Sequence, residues 1–174
     1  QEAESRFRTL VDQMPAMIYI NAYDPPHPML YASPHSHELF GYASEQWTGD
    51  SGFIYTIAHA DDLAALREEN DRSERTGDQF SLEYRVIGAD GRVIWVRDEC
   101  VLVHDADGVP LFYQGIMLDI TARKQLEERL AYQAFHDTLT GLPNRALLMD
   151  RLKHAIARAD RAGSTLAILY LDLD

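Results

Sequence analysis

The sequence ends in an apolar run that finishes with two carboxylates, Asp172 and Asp174. On a β-strand, residues two positions apart point to the same side. Carboxylate oxygens are hard ligands that suit Mg²⁺ bound together with nucleotide phosphates. An ordinary solvated strand terminus would carry the same residues. The pattern alone therefore leaves a magnesium site and an exposed strand end equally open.

Histidine and cysteine do not form a recognisable metal set. A metal site needs three or four converging ligands, and nothing close to His35 and His37 in the sequence completes one. His59 is the nearest candidate for a haem ligand, but its "HADD" context also indicates the start of a helix. Cys100 is the single cysteine, so an intrachain disulfide is impossible and a reducing compartment is expected.

Large aromatic side chains recur in the first 120 residues. They favour a hydrophobic core, with some members free to line a ligand pocket between a sheet and its helices. The residues that could contact a small ligand in such a pocket are Tyr19, Trp47, His59, Tyr84, Trp95 and Met117.

The net charge of −12 argues against nucleic acid as a partner. Residues 1–120 hold 21 acidic and 8 basic side chains, whereas residues 121–161 hold 5 and 8. This change of sign near residue 121 indicates a boundary between modules.

Hydrophobic residues make up 46% of the chain, enough to bury a core. No apolar run approaches the ~20 residues of a membrane span, and the polar first residues do not resemble a signal peptide. We therefore expect a cytoplasmic segment without membrane contact. Because the sequence begins without Met, a membrane segment further upstream stays open for the parent protein.

The first 120 residues predict an α+β domain. A helix is predicted over residues 4–14, followed by a hairpin of "AMIYINA" and "MLYASP". Short helices come next: Ser36 is predicted to cap one that Gly41 ends, and Asp61 or Asp62 to cap a longer one. The segments "QFSLEYRV", "RVIWVRDECVLVH" and "VPLFYQGIMLDI" then predict three antiparallel strands joined by "GADG" and "DADG" turns. This order indicates one sheet with its helices grouped together.

From Thr121 the periodicity becomes helical. Leu126, Leu130 and Ala134 share one narrow apolar face between charged residues, which favours a two-stranded coiled coil and hence a homodimer. The stretch "HDTLTGLPNR", residues 136–145, interrupts this helix. It predicts a rigid joint in which Asn144 caps a further helix, and "TLAILYLDLD" then predicts a strand covered on both faces.

Residues from about 4 to 122 resemble a PAS sensor domain. The resemblance rests on "MLYASPHSHELFGYASEQW", on "IAHADD" before a helix and on the closing "GIMLDITARK", in that order. It implies the PAS fold, an antiparallel sheet with helices on one face. The implied boundaries are a sensor domain over 1–120 and a signalling linker helix over 121–136.

Residues 137–174 resemble the start of a GGDEF domain, the diguanylate cyclase fold. "DTLTGLPNR" matches the entry motif of that family, and "LAILYLDLD" matches its first core strand. By this resemblance Asp172 would hold Mg²⁺ with help from the backbone carbonyl of Leu173. The residues expected at the joint or in signal relay are Asp119, Thr121, Asp137, Thr140, Gly141, Asn144 and Arg145, with Asp137 and Arg145 a possible pair.

The resemblance implies the sensory and dimerisation module of a cyclic di-GMP signalling protein. The GGDEF signature loop, its guanine contacts and an EAL sequence do not occur within the 174 residues, so we expect this segment to be inactive by itself. Mg²⁺ and GTP are expected in the full-length parent, a cyclase, a phosphodiesterase or a degenerate GTP-binding regulator. A PAS module that binds no ligand and only dimerises is the alternative.

Three further readings are disfavoured. His136 lacks the Glu and Arg-Thr-Pro that follow the phospho-accepting histidine of histidine kinases. Cys100 stands on a predicted strand, not in the Asn-Cys-Arg-Phe-Leu-Gln motif of flavin photoreceptors. His59 is the nearest candidate for a haem ligand, but its "HADD" segment resembles a helix start common across PAS domains. Haem and flavin are therefore not expected, and the sensed ligand is left open.

Overall fold

The structure, a computed structural model, describes residues 16–49 and 52–169. The chain divides into two compact units, with the boundary between Ala122 and Arg123. This boundary lies close to the position where the charge of the sequence changes sign. The helix predicted over residues 4–14 lies outside the described residues.

The first unit is built on five strands, whose neighbours in the sheet all run antiparallel. Their spatial order is β2-β1-β5-β4-β3. The predicted hairpin and the predicted three-stranded meander are both confirmed, and the pairing of the first strand with the last joins them into one sheet. The strands are β1 (Ala16–Ala22), β2 (Met29–Ala32), β3 (Phe80–Ile87), β4 (Val93–His104) and β5 (Pro110–Asp119).

The helices of this unit come between β2 and β3 in the chain and cover the sheet. Burial of apolar side chains from both layers supplies the main driving force for this packing, and the α+β class predicted from the sequence is confirmed. The helical segments are α1 (His35–Phe40), α2 (Ser44–Gly49), α3 (Phe53–Ile57), a 3-10 turn (Ala60–Asp62) and α4 (Leu63–Thr76). The largest fully buried side chains include Met17, Phe40, Trp47, Leu66, Val86, Ile94 and Val96.

The first short helix ends as predicted but begins differently. Gly41 has φ +76°, the left-handed conformation that glycine adopts at helix ends. The predicted Ser36 cap is wrong, because the helix already begins at His35 with Pro34 at the N-cap position and no side-chain cap. Ser36 is buried instead, with its hydroxyl 3.3 Å from that of Ser44.

Asp62 stands at the N-cap position of α4, one of the two positions predicted, but its side chain makes no cap hydrogen bond. The ring of His59 accepts the N–H of Asp61 over 3.3 Å at the 3-10 turn. The carboxylate of Asp62 accepts the backbone N–H of Arg85 at 2.9 Å and its guanidinium at 2.7 and 2.8 Å. These hydrogen bonds hold the pKa of Asp62 below its ordinary value. A bidentate charged pair outcompetes a single cap bond.

The second unit contains most of α5 (Thr121–Phe135) and all of α6 (Arg145–Ala162). Asn144 caps α6 as predicted, accepting the N–H of Leu147 over 3.1 Å. The strand predicted from "TLAILYLDLD" is wrong in its described part, since residues 164–169 carry no regular secondary structure. A strand needs a hydrogen-bonded neighbour, and the described residues of this unit contain no other strand.

No helix in the described part of the chain combines the length and the apolar character that crossing a lipid bilayer requires.

Candidate functional site

A cavity of about 160 Å³ lies between the sheet and helices α3 and α4. Of the six residues predicted for a sensor pocket, Tyr19, Tyr84 and Met117 line it. Trp47, His59 and Trp95 are not among the described residues that do. Half of the six predicted pocket residues therefore lie at one cavity.

The other three lie elsewhere for clear reasons. Trp47 is buried in the core, where its ring centroid lies 5.5 Å from that of Phe40. His59 caps the 3-10 turn. Trp95 alternates with the inward-facing residues of β4 and so stands on the opposite side of the sheet, 5.5 Å from the guanidinium of Arg85.

A buried carboxylate is the chemical centre of the cavity. Asp98 continues the inward row of Ile94 and Val96 on β4 and is only 4% exposed. The hydroxyl of Tyr19 donates to its Oδ1 over 2.8 Å, and the hydroxyl of Tyr84 donates to its Oδ2 over 2.9 Å. One tyrosine comes from β1 and the other from β3, so strands on both sides of β4 hold the same acid.

The burial of this acid governs the electrostatics of the cavity. Loss of hydration raises the pKa of Asp98 to about 7, although the two tyrosine hydrogen bonds oppose the shift. Burial and the neighbouring carboxylate raise the pKa of Tyr19 and Tyr84 well above the ordinary value, so both hydroxyls keep their protons. Burial raises the pKa of the Cys100 thiol to about 12.

A glycine makes room for one of these hydrogen bonds. Gly115 on β5 pairs with Tyr19 on β1 and with Cys100 on β4. A Cβ at position 115 would lie 2.1 Å from Cζ of Tyr19. The tyrosine ring therefore crosses β5 over the space that the glycine leaves, and in this way its hydroxyl reaches Asp98.

Sequence reasoning missed Asp98, Gly115 and Asn21, which also lines the cavity. The signal for Asp98 was present, because period-two counting along "RVIWVRDECV" places it in the row of Ile94 and Val96. No sequence pattern marks Gly115, because its role is to leave space for the ring of Tyr19, which belongs to another strand.

The predicted magnesium ligands, Asp172 and the backbone carbonyl of Leu173, lie outside the described residues. Over residues 16–49 and 52–169, no group of three or more histidine, cysteine or acidic side chains is placed to hold a metal ion.

The predicted relay residues Asp119 and Thr121 meet at the end of the sheet. The carboxylate of Asp119 accepts the N–H of Thr121 over 2.8 Å, at the start of α5. The hydroxyl of Thr121 accepts the N–H of Trp95 over 2.9 Å, and the N–H of Ile120 donates to the carbonyl of Trp95 over 2.8 Å. Both backbone groups of one β4 residue thus bind the point where strand becomes helix.

The joint between α5 and α6 is held by Asp137. Its Oδ1 accepts the N–H of Thr140 at 2.9 Å and the hydroxyl of Thr140 at 2.8 Å, which lowers its pKa. Gly141 has φ +69° and donates its N–H to the carbonyl of Asp137. The expected pair of Asp137 with Arg145 is absent from the described ion pairs, because the carboxylate is turned toward its own loop. These contacts fit a structural joint.

Comparisons with known proteins match both parts of the chain. The PAS fold family matches residues 29–117, and the diguanylate cyclase GGDEF domain family matches residues 134–174. An uncharacterised protein of Sinorhizobium fredii is 37% identical over the full chain and 21% of its own length. The cyclic di-GMP phosphodiesterase PdeR of Escherichia coli is 34% identical over 65% of the chain and 17% of its own length. The chain therefore spans about a fifth or less of these relatives.

A crystal structure from Marinobacter aquaeolei shares the fold. It is the N-terminal domain of a diguanylate cyclase with a PAS/PAC sensor, and it superimposes with a TM-score of 0.57 at 22% identity. The match covers 63% of this chain and 98% of that domain. The likeness establishes a common sheet-and-helix architecture.

We predict that Gly115→Ala destabilises the first unit by about 1–3 kcal/mol, the usual cost of forcing an extra methyl group into a packed site. The new Cβ would displace the Tyr19 ring and break its bond to Asp98. Urea denaturation of the wild type and the variant measures the effect. The matched control is Gly115→Ala in a Tyr19→Leu background, where the added cost should be much smaller. An equal cost in both backgrounds would contradict the close approach of Tyr19.

We also predict a pH-dependent stability that originates at Asp98. Its folded pKa, about 7, lies above its ordinary value near 3.8, so the folded state binds the additional proton between these pH values. Stability relative to Asp98→Asn should therefore fall as pH rises from about 4 to about 7, with a slope of at most ~1.4 kcal/mol per pH unit. Groups facing the acid are Tyr19, Tyr84 and Cys100.

Denaturation series at several pH values test this prediction, and carbon NMR of the aspartate carboxyl groups adds an independent readout. The Asp98 resonance should titrate near pH 7. A titration of Asp98 near its ordinary value of 3.8 would show that the acid is not held in the proposed environment.

Proposed function

Because the chain belongs to the PAS family and continues into the start of a GGDEF domain, we propose that it is the sensory and relay module of a cyclic di-GMP signalling protein. The observation that carries the proposal is the double hydrogen bond of Trp95 to residues 120 and 121. It connects the strand that carries the cavity's acid directly to the first residue of α5.

The relay follows from the geometry of β4. Ile94, Val96 and Asp98 face the cavity side, and Trp95 lies among them on the same strand. A ligand that binds Asp98 alters the position or charge of a group three residues from Trp95. A shift of β4 then acts on Thr121, so occupancy of the cavity biases the start of the helix between two arrangements.

A homodimer is the second part of the proposal. Helix α5 contains no buried residue, and Leu126 and Leu130 are each 57% exposed on its surface. Two leucines one helical turn apart form the seam that a parallel coiled coil would cover. Pairing through this stripe would bring two copies of the following domain together, as a reaction that joins two GTP molecules requires.

The enzymatic work belongs to the parent protein. The similarity to PdeR and the match to the GGDEF family support a parent that makes or degrades cyclic di-GMP. Mg²⁺ and GTP would be held by the complete GGDEF domain, whose first strand would include Asp172. The single reduced cysteine and a nucleotide substrate support a cytoplasmic location.

The ligand sensed by the cavity is a small molecule in this proposal. A volume of about 160 Å³ is close to that of an engineered protein cavity that binds benzene. Haem and the flavin ring system are far larger than this volume. A small ligand therefore fits the cavity without remodelling the sheet.

We predict that Thr121→Val in the parent protein changes cyclic di-GMP synthesis or hydrolysis several-fold, with an unchanged KM for the nucleotide substrate. Valine keeps the shape of threonine but removes the acceptor for the Trp95 N–H. Thr121→Ser is the matched control, since it keeps the hydroxyl and should retain wild-type turnover. Equal turnover in all three proteins would rule out this relay.

We further predict that replacing Leu126 and Leu130 with Asp weakens dimerisation of the chain at least tenfold, because the seam would then bury like charges. Analytical ultracentrifugation gives the dissociation constant. Gln125→Asp, which adds a charge beside the stripe, is the control and should leave the constant nearly unchanged. A wild-type chain that stays monomeric at high micromolar concentration would refute the proposed dimer.

A further inference from the structure

Asp98 and the two tyrosines bonded to it present hydrogen-bond acceptors to the cavity. A carboxylate offers about four acceptor positions, and the two tyrosine hydroxyls occupy one on each oxygen. Because Tyr19 and Tyr84 donate their protons to Asp98, their own oxygens can only accept further bonds. Asn21 adds a buried Oδ1 that has no partner within the described part of the chain. A ligand here must bring donors.

Two of the nearby donors are already engaged. The Asn70 side-chain amide donates to the hydroxyl of Tyr55, and the hydroxyl of Ser73 donates to the carbonyl of Asp78 over 2.7 Å. No lysine or arginine occurs among the described residues that line the cavity. A carboxylate or phosphate ligand would therefore meet a buried acid without a cation to balance it, which is strongly unfavourable.

The negative charge at the rim of the cavity also favours a ligand that carries donors and positive charge. Glu74, whose side chain is 54% exposed, also lines the cavity and lies 3.6 Å from Nε2 of His27. Residues 1–120 carry 21 acidic against 8 basic side chains, and a negative field of this kind concentrates cations near the opening.

The remaining walls of the cavity are largely aromatic and aliphatic. Tyr55, Phe80 and Tyr113 line the cavity together with aliphatic and thioether side chains. The faces of aromatic rings attract ammonium groups, and their apolar area favours a hydrocarbon body. The volume of about 160 Å³ limits that body to about the size of a benzene ring.

We infer that the cavity binds a small organic ammonium ion, with the amine placed against Asp98 and the hydrocarbon part between the aromatic walls. The ammonium supplies the donors and the positive charge that the acceptor-rich site lacks. This inference rests on the proposed sensory function of the cavity and adds the chemical class of its ligand.

Three probes of matched size and different charge test the inference: benzylamine, benzyl alcohol and benzoate. Each probe is titrated into the full 174-residue chain at pH 8, where Asp98 is ionised. Calorimetry and the NMR shifts of the cavity tyrosines measure the binding. We expect benzylamine to bind at least tenfold more tightly than benzyl alcohol, and benzoate to bind least. Asp98→Asn should lose at least tenfold in benzylamine affinity and keep its affinity for benzyl alcohol.

Each alternative result has a definite meaning. Equal binding of benzylamine and benzyl alcohol, or stronger binding of benzoate, would overturn the ammonium inference while leaving a ligand-binding sensor intact. Absence of tyrosine shifts with all three probes would overturn the inference and the small-ligand part of the proposed function together. The wild-type series alone decides between these results if Asp98→Asn does not fold. The Thr121 variants test the relay independently of any ligand.

Discussion

The first unit depends on how a carboxylate is kept inside a sheet. Asp98 occupies a position that Ile94 and Val96 would predict to be apolar, and removing it from water is costly. Tyr19 and Tyr84 reduce that cost by donating one hydrogen bond to each oxygen. The same bonds tie β1, β3 and β4 together. An acid that would weaken an ordinary core therefore acts here as the meeting point of three strands.

This arrangement constrains residues that never touch the acid. Tyr19 crosses β5 only because Gly115 has no side chain, and Trp95, on the reverse side of β4, binds the start of α5 through its backbone. Alternation along one strand therefore separates two tasks. One face of β4 meets the cavity, while its backbone at Trp95 meets the linker, and only three residues along the strand separate Asp98 from Trp95.

The sheet could be predicted because β3, β4 and β5 alternate regularly and are separated by glycine-containing turns. The cap hydrogen bonds expected from Ser36, Asp61 and Asp62 do not form. A cap competes with tertiary partners such as Arg85, which the local sequence does not reveal. Half of the residues predicted for the cavity do line it. Tyr19, Tyr84 and Met117 follow from inward positions on strands, whereas Gly115 matters only through a contact between strands. The Asp172 prediction remains untested, as it lies outside the described residues.

Cys100 occupies the same inward row as Asp98 and is 9% exposed. It is the single thiol of the chain, and its pKa of about 12 keeps it protonated and therefore slow to react. A thiol reagent reaches it through the cavity or through an opening of the helices over the sheet. The rate of alkylation of the native protein would therefore report how accessible the sensor's interior is, without any introduced label.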